Sequence, residues 1–195
     1  MHTYQQLFAR VGAWNALRYD RVFNMSLLHK LLTEEFNETV DAKTPVEQLD
    51  GRADQIYVAL GGIWKLNLEE ELIANAFGEA AIVVGMASDE NLLRDIDWAI
   101  EANLKALVSD VLPQTQRLTA TILATICLLN QYAIERDFDL SVFDVLEVVC
   151  DSNDSKQVQK VAPDVKANIN KGAGFIAPEP RLQALIDGVT TNVKH

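Results

Sequence analysis

Glu34, Glu35 and Glu38 form an E-E-x-x-E run, and Asp50 and Asp54 follow at four-residue spacing. Clustered carboxylates suit magnesium, with manganese as its substitute: such a cation takes hard oxygen ligands, keeps several waters and bridges to phosphate oxygens. Two or more ions can activate a water and clamp leaving phosphates, so the chemistry in view is metal-assisted phosphoryl hydrolysis. An acidic run on a helix is more commonly a solvated face. Two features weigh against that here. At about 100° per residue, Glu35 falls inside the stripe set by Leu28, Leu32 and Phe36, and Glu38 lies on its edge. A glutamate aimed at a core is costly unless it is paired, neutralised or bound to a cation. Asp50 and Asp54 lie one turn apart on the margin of the next apolar face. Antiparallel packing across a short turn would bring four carboxylates around one pocket.

The elements that must position these acids are helices. The chain has only five prolines, and three-and-four apolar spacing dominates while alternating strand-like runs are nearly absent. The expected helices run from Tyr4 to Ala16, from Asn24 or Ser26 to Ala42, and from Pro45, capped by Thr44, to Leu66. On the second, Leu28, Leu31, Leu32, Phe36, Thr39 and Val40 share a face. On the third, Leu49, Ala53, Ile56, Tyr57, Leu60, Ile63 and Trp64 do so. Asn67 and Leu68 begin a fourth, which runs to Met86. Ser88 or Asp89 is expected to cap a fifth that runs through Trp98 and Leu104 to Val111. Pro113 then interrupts before a sixth from Gln116 to Ile134, and a seventh covers Ser141 to Val149. The stretch from Asp151 to Pro180 reads as an irregular arm, with a last helix at Arg181 to Val189.

The run LLTEEFNETVDA followed by DGRADQIYVALGG resembles the MazG-like, all-α nucleoside triphosphate pyrophosphohydrolases. That resemblance implies magnesium held by Glu35, Glu38 and Asp54, with Glu34 assisting or orienting a water. Many members carry a glutamate three residues before the final aspartate; here that position is Gly51, and Asp50 is the candidate replacement. Further along, VFDVLEVVCDSNDSK and KANINKGAGFIAPEP are similar to the family's S-N-x-S-K segment and the tail behind it. By that likeness Asn153 bonds to phosphate or bound water, Lys156 supplies a positive charge, Lys171 is a further candidate, and Tyr57 belongs to the substrate pocket. Lysines beside a triphosphate make physical sense, because cations alone leave part of its charge uncompensated.

About seventy residues separate the two motifs, where compact members have almost none. Residues 20–77 carry the expected metal site, and 89–149 read as a degenerate second copy: Leu104 and Leu107 stand in the places of Glu35 and Glu38, and Thr119 and Leu123 in those of Asp50 and Asp54. This resembles the dimeric dUTPase branch, in which one chain mimics a dimer of the small enzymes. Residues 150–195 form the C-terminal arm, and 1–195 constitute one all-α domain.

The net charge of −11 argues against non-specific nucleic-acid binding, which needs a basic face. It does not oppose a polyanionic ligand once cations reverse the local field. No signal peptide or membrane span is expected, and Cys127 and Cys150 read as buried thiols, so the expected setting is cytoplasmic. The expected activity is attack of water on the α-phosphorus of a (deoxy)nucleoside triphosphate, with expulsion of pyrophosphate, in a homodimer. The competing reading is a helical binding or oligomerisation module that kept the fold and lost turnover. His29 reads as a boundary residue, the three tryptophans as core, and Arg21 and Arg52 as surface ion-pairing residues.

Overall fold

Thr44 starts the hairpin on which the site depends. Its hydroxyl accepts the Glu47 N–H, and the Glu47 carboxylate accepts the Thr44 N–H in return, closing a capping box with Pro45 in the first turn. The computed structural model describes residues 4–89, 95–111, 115–160, 162 and 171–192. Among them are eight α-helices and no strand: α1 (Tyr4–Arg18), α2 (Met25–Asp41), α3 (Pro45–Lys65), α4 (Glu70–Asp89), α5 (Ile96–Leu107), α6 (Gln116–Phe138), α7 (Val142–Ser155) and α8 (Glu179–Asn192). The fold is an all-α bundle.

Helices α3 and α6 are its axis. The α2–α3 and α5–α6 hairpins lie side by side through them, α4 covers α6, and α1, α7 and α8 close over α3. Leu32, Leu49, Ile56, Leu60, Ile63, Ile100, Leu107, Leu123, Ile126 and Ile134 are all fully buried where the hairpins meet. Each contributes on the order of 1.5–3 kcal/mol of burial. Leu104, Leu107, Thr119 and Leu123, the positions aligned with the acids of the first half, are likewise buried. Helix α6 is long and apolar enough to cross a membrane, yet 67% of its most apolar window is buried inside the bundle.

Several boundaries depart from the sequence expectations. Asp95, not Ser88 or Asp89, caps α5, accepting the Trp98 N–H at 2.9 Å, and α4 runs on through Asp89. Helix α5 ends at Leu107, short of Val111. Trp98 is 68% exposed rather than core; Ile96, Ile100, Leu104 and Leu107 define the inward face, and Trp98 sits about 200° round from Ile100. Val40 is exposed as well. Helix α7 continues to Ser155, so the S-N-D-S run is its last turn and not an irregular segment. Pro113, residues 163–170, His2 and His195 lie outside the described residues.

Candidate functional site

Because α2 and α3 run antiparallel, residues 24 to 35 of one helix face residues 65 to 54 of the other. Asn24, Leu27, Leu28, Leu31 and Glu35 from α2, and Asp54, Tyr57, Val58, Gly61, Gly62 and Lys65 from α3, line a single slot of about 280 Å³. At ~1.5 Å per residue each wall is about 16 Å long. Trp14, Asn15, Tyr19 and Phe23 close one side, and Asn153, Lys156 and Lys171 reach it from the C-terminal half. A second cavity, of about 370 Å³, adjoins the first and holds Glu38, Asp50, Gly51 and Asp54. Asp54 lines both, so it marks where the acids converge.

Glu35, Asp50 and Asp54 are half-buried and Glu38 is exposed at the cleft mouth. Glu34 lies on the adjoining flank of α2, 4.0 Å from Lys30, and lines neither cavity. Burial, and then the charge of Asp54, push the Asp50 carboxyl far up from its ordinary range; burial, and then Glu35, do the same to Asp54. Asp50 Oδ1 is buried without a hydrogen-bond donor. The charge of Glu179, at the start of α8, bears on both aspartates. No sequence motif pointed to Glu179; only the docking of α8 on α3 brings it there.

Crowded, half-buried carboxylates with raised affinity for protons are chemically suited to a divalent cation, which would relieve the repulsion. Among the described residues, however, no three His, Cys, Asp or Glu side chains are gathered as a metal-holding group. The donor set fits a cation in kind and in place, and side chains would have to turn to close on one.

Gly51 explains how the hairpin closes. A Cβ there would stand 2.4 Å from Thr39 Oγ1 and 3.2 Å from the Thr39 Cα, so no glutamate fits at this point of the α2–α3 contact. Thr39 Oγ1 donates to the Glu35 carbonyl (2.7 Å) and accepts from Gln55 Nε2 (2.8 Å). Gln55 Oε1 in turn accepts from Asn130 Nδ2 on α6. This buried chain fixes α2 against both central helices.

Lys156, half-buried at the end of α7, is the cation facing the acids. Burial pulls its ammonium below the usual lysine range, and Asp54 pulls in the opposite direction. Lys156 Nζ donates to Asn153 Oδ1 at 2.8 Å, while Asn153 Nδ2 donates to the Val149 carbonyl at 3.0 Å. Asn153 thus holds Lys156 in place as well as lining the slot. Sequence reading missed what holds the end of α7. Trp14 Nε1 donates to the Asn153 carbonyl (2.8 Å), and Arg18, 1% exposed, donates to the Lys156 carbonyl (2.8 Å). These side chains brace the end of α7, where the Asn153 carbonyl also accepts the Lys156 backbone N–H at 3.2 Å. Lys171 is exposed, with its ammonium 4.7 Å from the Phe175 ring centre. Tyr57 is 7% exposed and packs edge-on against Trp14, and its hydroxyl is buried without a partner.

The remaining candidates lie away from the slot. Arg52 is buried and reaches out to the partly exposed Asp97 of α5 at 2.6 Å, so it is not the surface residue expected. Arg21 donates to the Trp64 carbonyl and covers the Trp64 ring. Cys127 and Cys150 are buried free thiols. Compared with models of protein families, with curated proteins and with solved structures, the chain matches none.

Proposed function

We propose that this protein hydrolyses a (deoxy)nucleoside triphosphate to the monophosphate and pyrophosphate, with magnesium, or manganese in its place, at the acidic end of the slot. The observation that carries this reading is the meeting of opposite charges there. Glu35, Glu38, Asp50 and Asp54 converge from two helices, and Lys156 faces them from a third. A polyphosphate needs both partners, a cation-loaded carboxylate cluster and a fixed lysine.

In this reading Glu35, Glu38, Asp50 and Asp54 hold the cation, which when bound supplies charge neutralisation and polarisation of the phosphate oxygens. Glu34, outside both cavities, would have to turn inward from the flank of α2 to orient the attacking water. Lys156, steadied by Asn153, binds a phosphate oxygen, and Lys171 is positioned to add a second charge. Trp14, Tyr57 and the leucines of α2 exclude water from the middle of the slot, where the nucleoside would lie. The two buried, unpaired cysteines fit a reducing setting such as the cytoplasm. A homodimer finds support in α4, whose Ile82, Val83 and Met86 are exposed and whose Gly78 and Gly85 would admit a close neighbour. Light scattering that returned a monomer would remove it.

The second reading, a binding module without turnover, is favoured by one observation: the carboxylates are not gathered in threes. Pyrophosphate release from a nucleotide panel, with magnesium and with chelator, separates the two. The hydrolase reading expects metal-dependent release that Glu38→Gln and Asp54→Asn reduce at least a hundredfold while the melting curve stays cooperative. Silence across the panel, with nucleotide still bound, establishes the module.

A further inference from the structure

The slot has a second polar end, about 16 Å along α3 from Asp54, which phosphate hydrolysis leaves unused. Lys65, in the last turn of α3, is half-buried there with its ammonium 4.0 Å from the Tyr19 ring centre. Among the described residues no ion pair includes Lys65, so its ammonium keeps N–H groups to offer a ligand. Across the slot stands Asn24. Its Oδ1 is committed to capping α2, accepting the Leu27 N–H at 3.0 Å, so its amide N–H groups are what remain for a ligand. Lysine has no acceptor at all. One turn back along α3, Asn15 packs beside Gly61. One Nδ2 hydrogen goes to the Val11 carbonyl at 2.9 Å, and Oδ1 is the acceptor this amide can offer a ligand. Between them Leu27, Leu28 and Val58 provide apolar walls, and Gly61 and Gly62 line the slot with backbone alone.

We propose that this end reads a nucleobase with a carbonyl–N–H edge, such as uracil, thymine, guanine or hypoxanthine, with Lys65 and Asn24 donating to the carbonyl oxygen and Asn15 accepting from the adjacent N–H. Adenine and cytosine offer the reverse pattern, an amino donor beside a bare ring nitrogen. Their amino group would face an ammonium, and the Asn15 acceptor would face a lone pair. A site built of buried donors rejects a ligand that leaves them unpaired far more strongly than an apolar pocket rejects a change in size. The inference rests on reading the slot as a nucleotide site, and it adds which bases that site takes.

The test is equilibrium binding of non-hydrolysable α,β-imido analogues of dUTP, dGTP, dATP and dCTP to the full chain with magnesium. Wild type should bind the dUTP and dGTP analogues at least tenfold more tightly than the other two. Lys65→Met should erase most of that preference by weakening the carbonyl-edged pair roughly tenfold, with the amino-edged pair changed far less. Lys65→Arg, which keeps the charge and donors, should retain it. Equal affinities, a reversed preference, a preference that survives Lys65→Met, or no nucleotide binding would each overturn the inference. Selective binding without pyrophosphate release would leave it standing while the hydrolytic reading fell.

Discussion

Replacing Gly51 by alanine tests the geometry on which the cleft depends. In an exposed helix this change gains up to about 1 kcal/mol in helix propensity. Here the new methyl would stand 2.4 Å from Thr39 Oγ1 and 3.2 Å from Thr39 Cα and Cβ. Thr39 cannot swing away freely, because Oγ1 is held by the Glu35 carbonyl and by Gln55. Moving it strands the buried Gln55 amide, at about 1–3 kcal/mol; pushing α2 outward instead incurs an overpacking cost of about 1–3 kcal/mol. After subtracting the propensity gain, Gly51→Ala should lose up to about 2 kcal/mol. For a chain of this size that lowers Tm by up to about 8 °C. Thermal and urea melts followed by circular dichroism, in chelator, provide the assay. Adding Thr39→Ala removes the closest contact but leaves those to Cα and Cβ and itself strands the Gln55 amide, so the double variant should recover little of the loss. A raised Tm for Gly51→Ala would refute the close approach of α2 and α3. The placement of Glu35 and Glu38 against Asp54 would then fall with it.

Asp50 and Asp54, each raised to about 7, give the metal-free protein a definite pH dependence. The folded state holds these protons more tightly than the unfolded chain, so their stabilising contribution is complete below about pH 4. It is lost as pH rises toward 7 and beyond. Metal-free Tm should therefore fall between pH 5 and 8, less steeply in Asp54→Asn, and magnesium should raise Tm at pH 8 far more than at pH 5; an identical shift at both would contradict the crowding of these acids. Trp14→Phe keeps an aromatic ring but removes the donor to the Asn153 carbonyl and part of a buried side chain, which should cost at least about 1 kcal/mol. It should also loosen Lys156, weakening nucleotide binding severalfold in calorimetry, whereas unaltered binding would separate Trp14 from the site.

Much of the scaffold was legible because local patterns determine it. The Thr44–Pro45 start of α3, the inward stripes of α2 and α3 and the buried cysteines all follow from periodicity and capping, which act within a few residues. The S-N-D-S run was harder to place. Its residues favour a turn locally, yet they stay helical because Trp14 and Arg18, nearly 140 positions away, take up the end-of-helix carbonyls. Trp98 shows the converse: its large apolar side chain suggested core, but the register set by Asp95 and Ile100 turned it outward.

By itself the sequence determined an all-helical chain with acids grouped on two neighbouring helices, since side-chain type and spacing act through the chain's own geometry. The tertiary structure alone decided which charges share a space. It brought Lys156 and Glu179 to Asp50 and Asp54, placed Gly51 where only a hydrogen atom fits, and set Lys65 and Asn24 opposite one another at the far end of the slot. Electrostatic and steric contacts depend on distances between residues far apart in the chain, and only packing sets those distances.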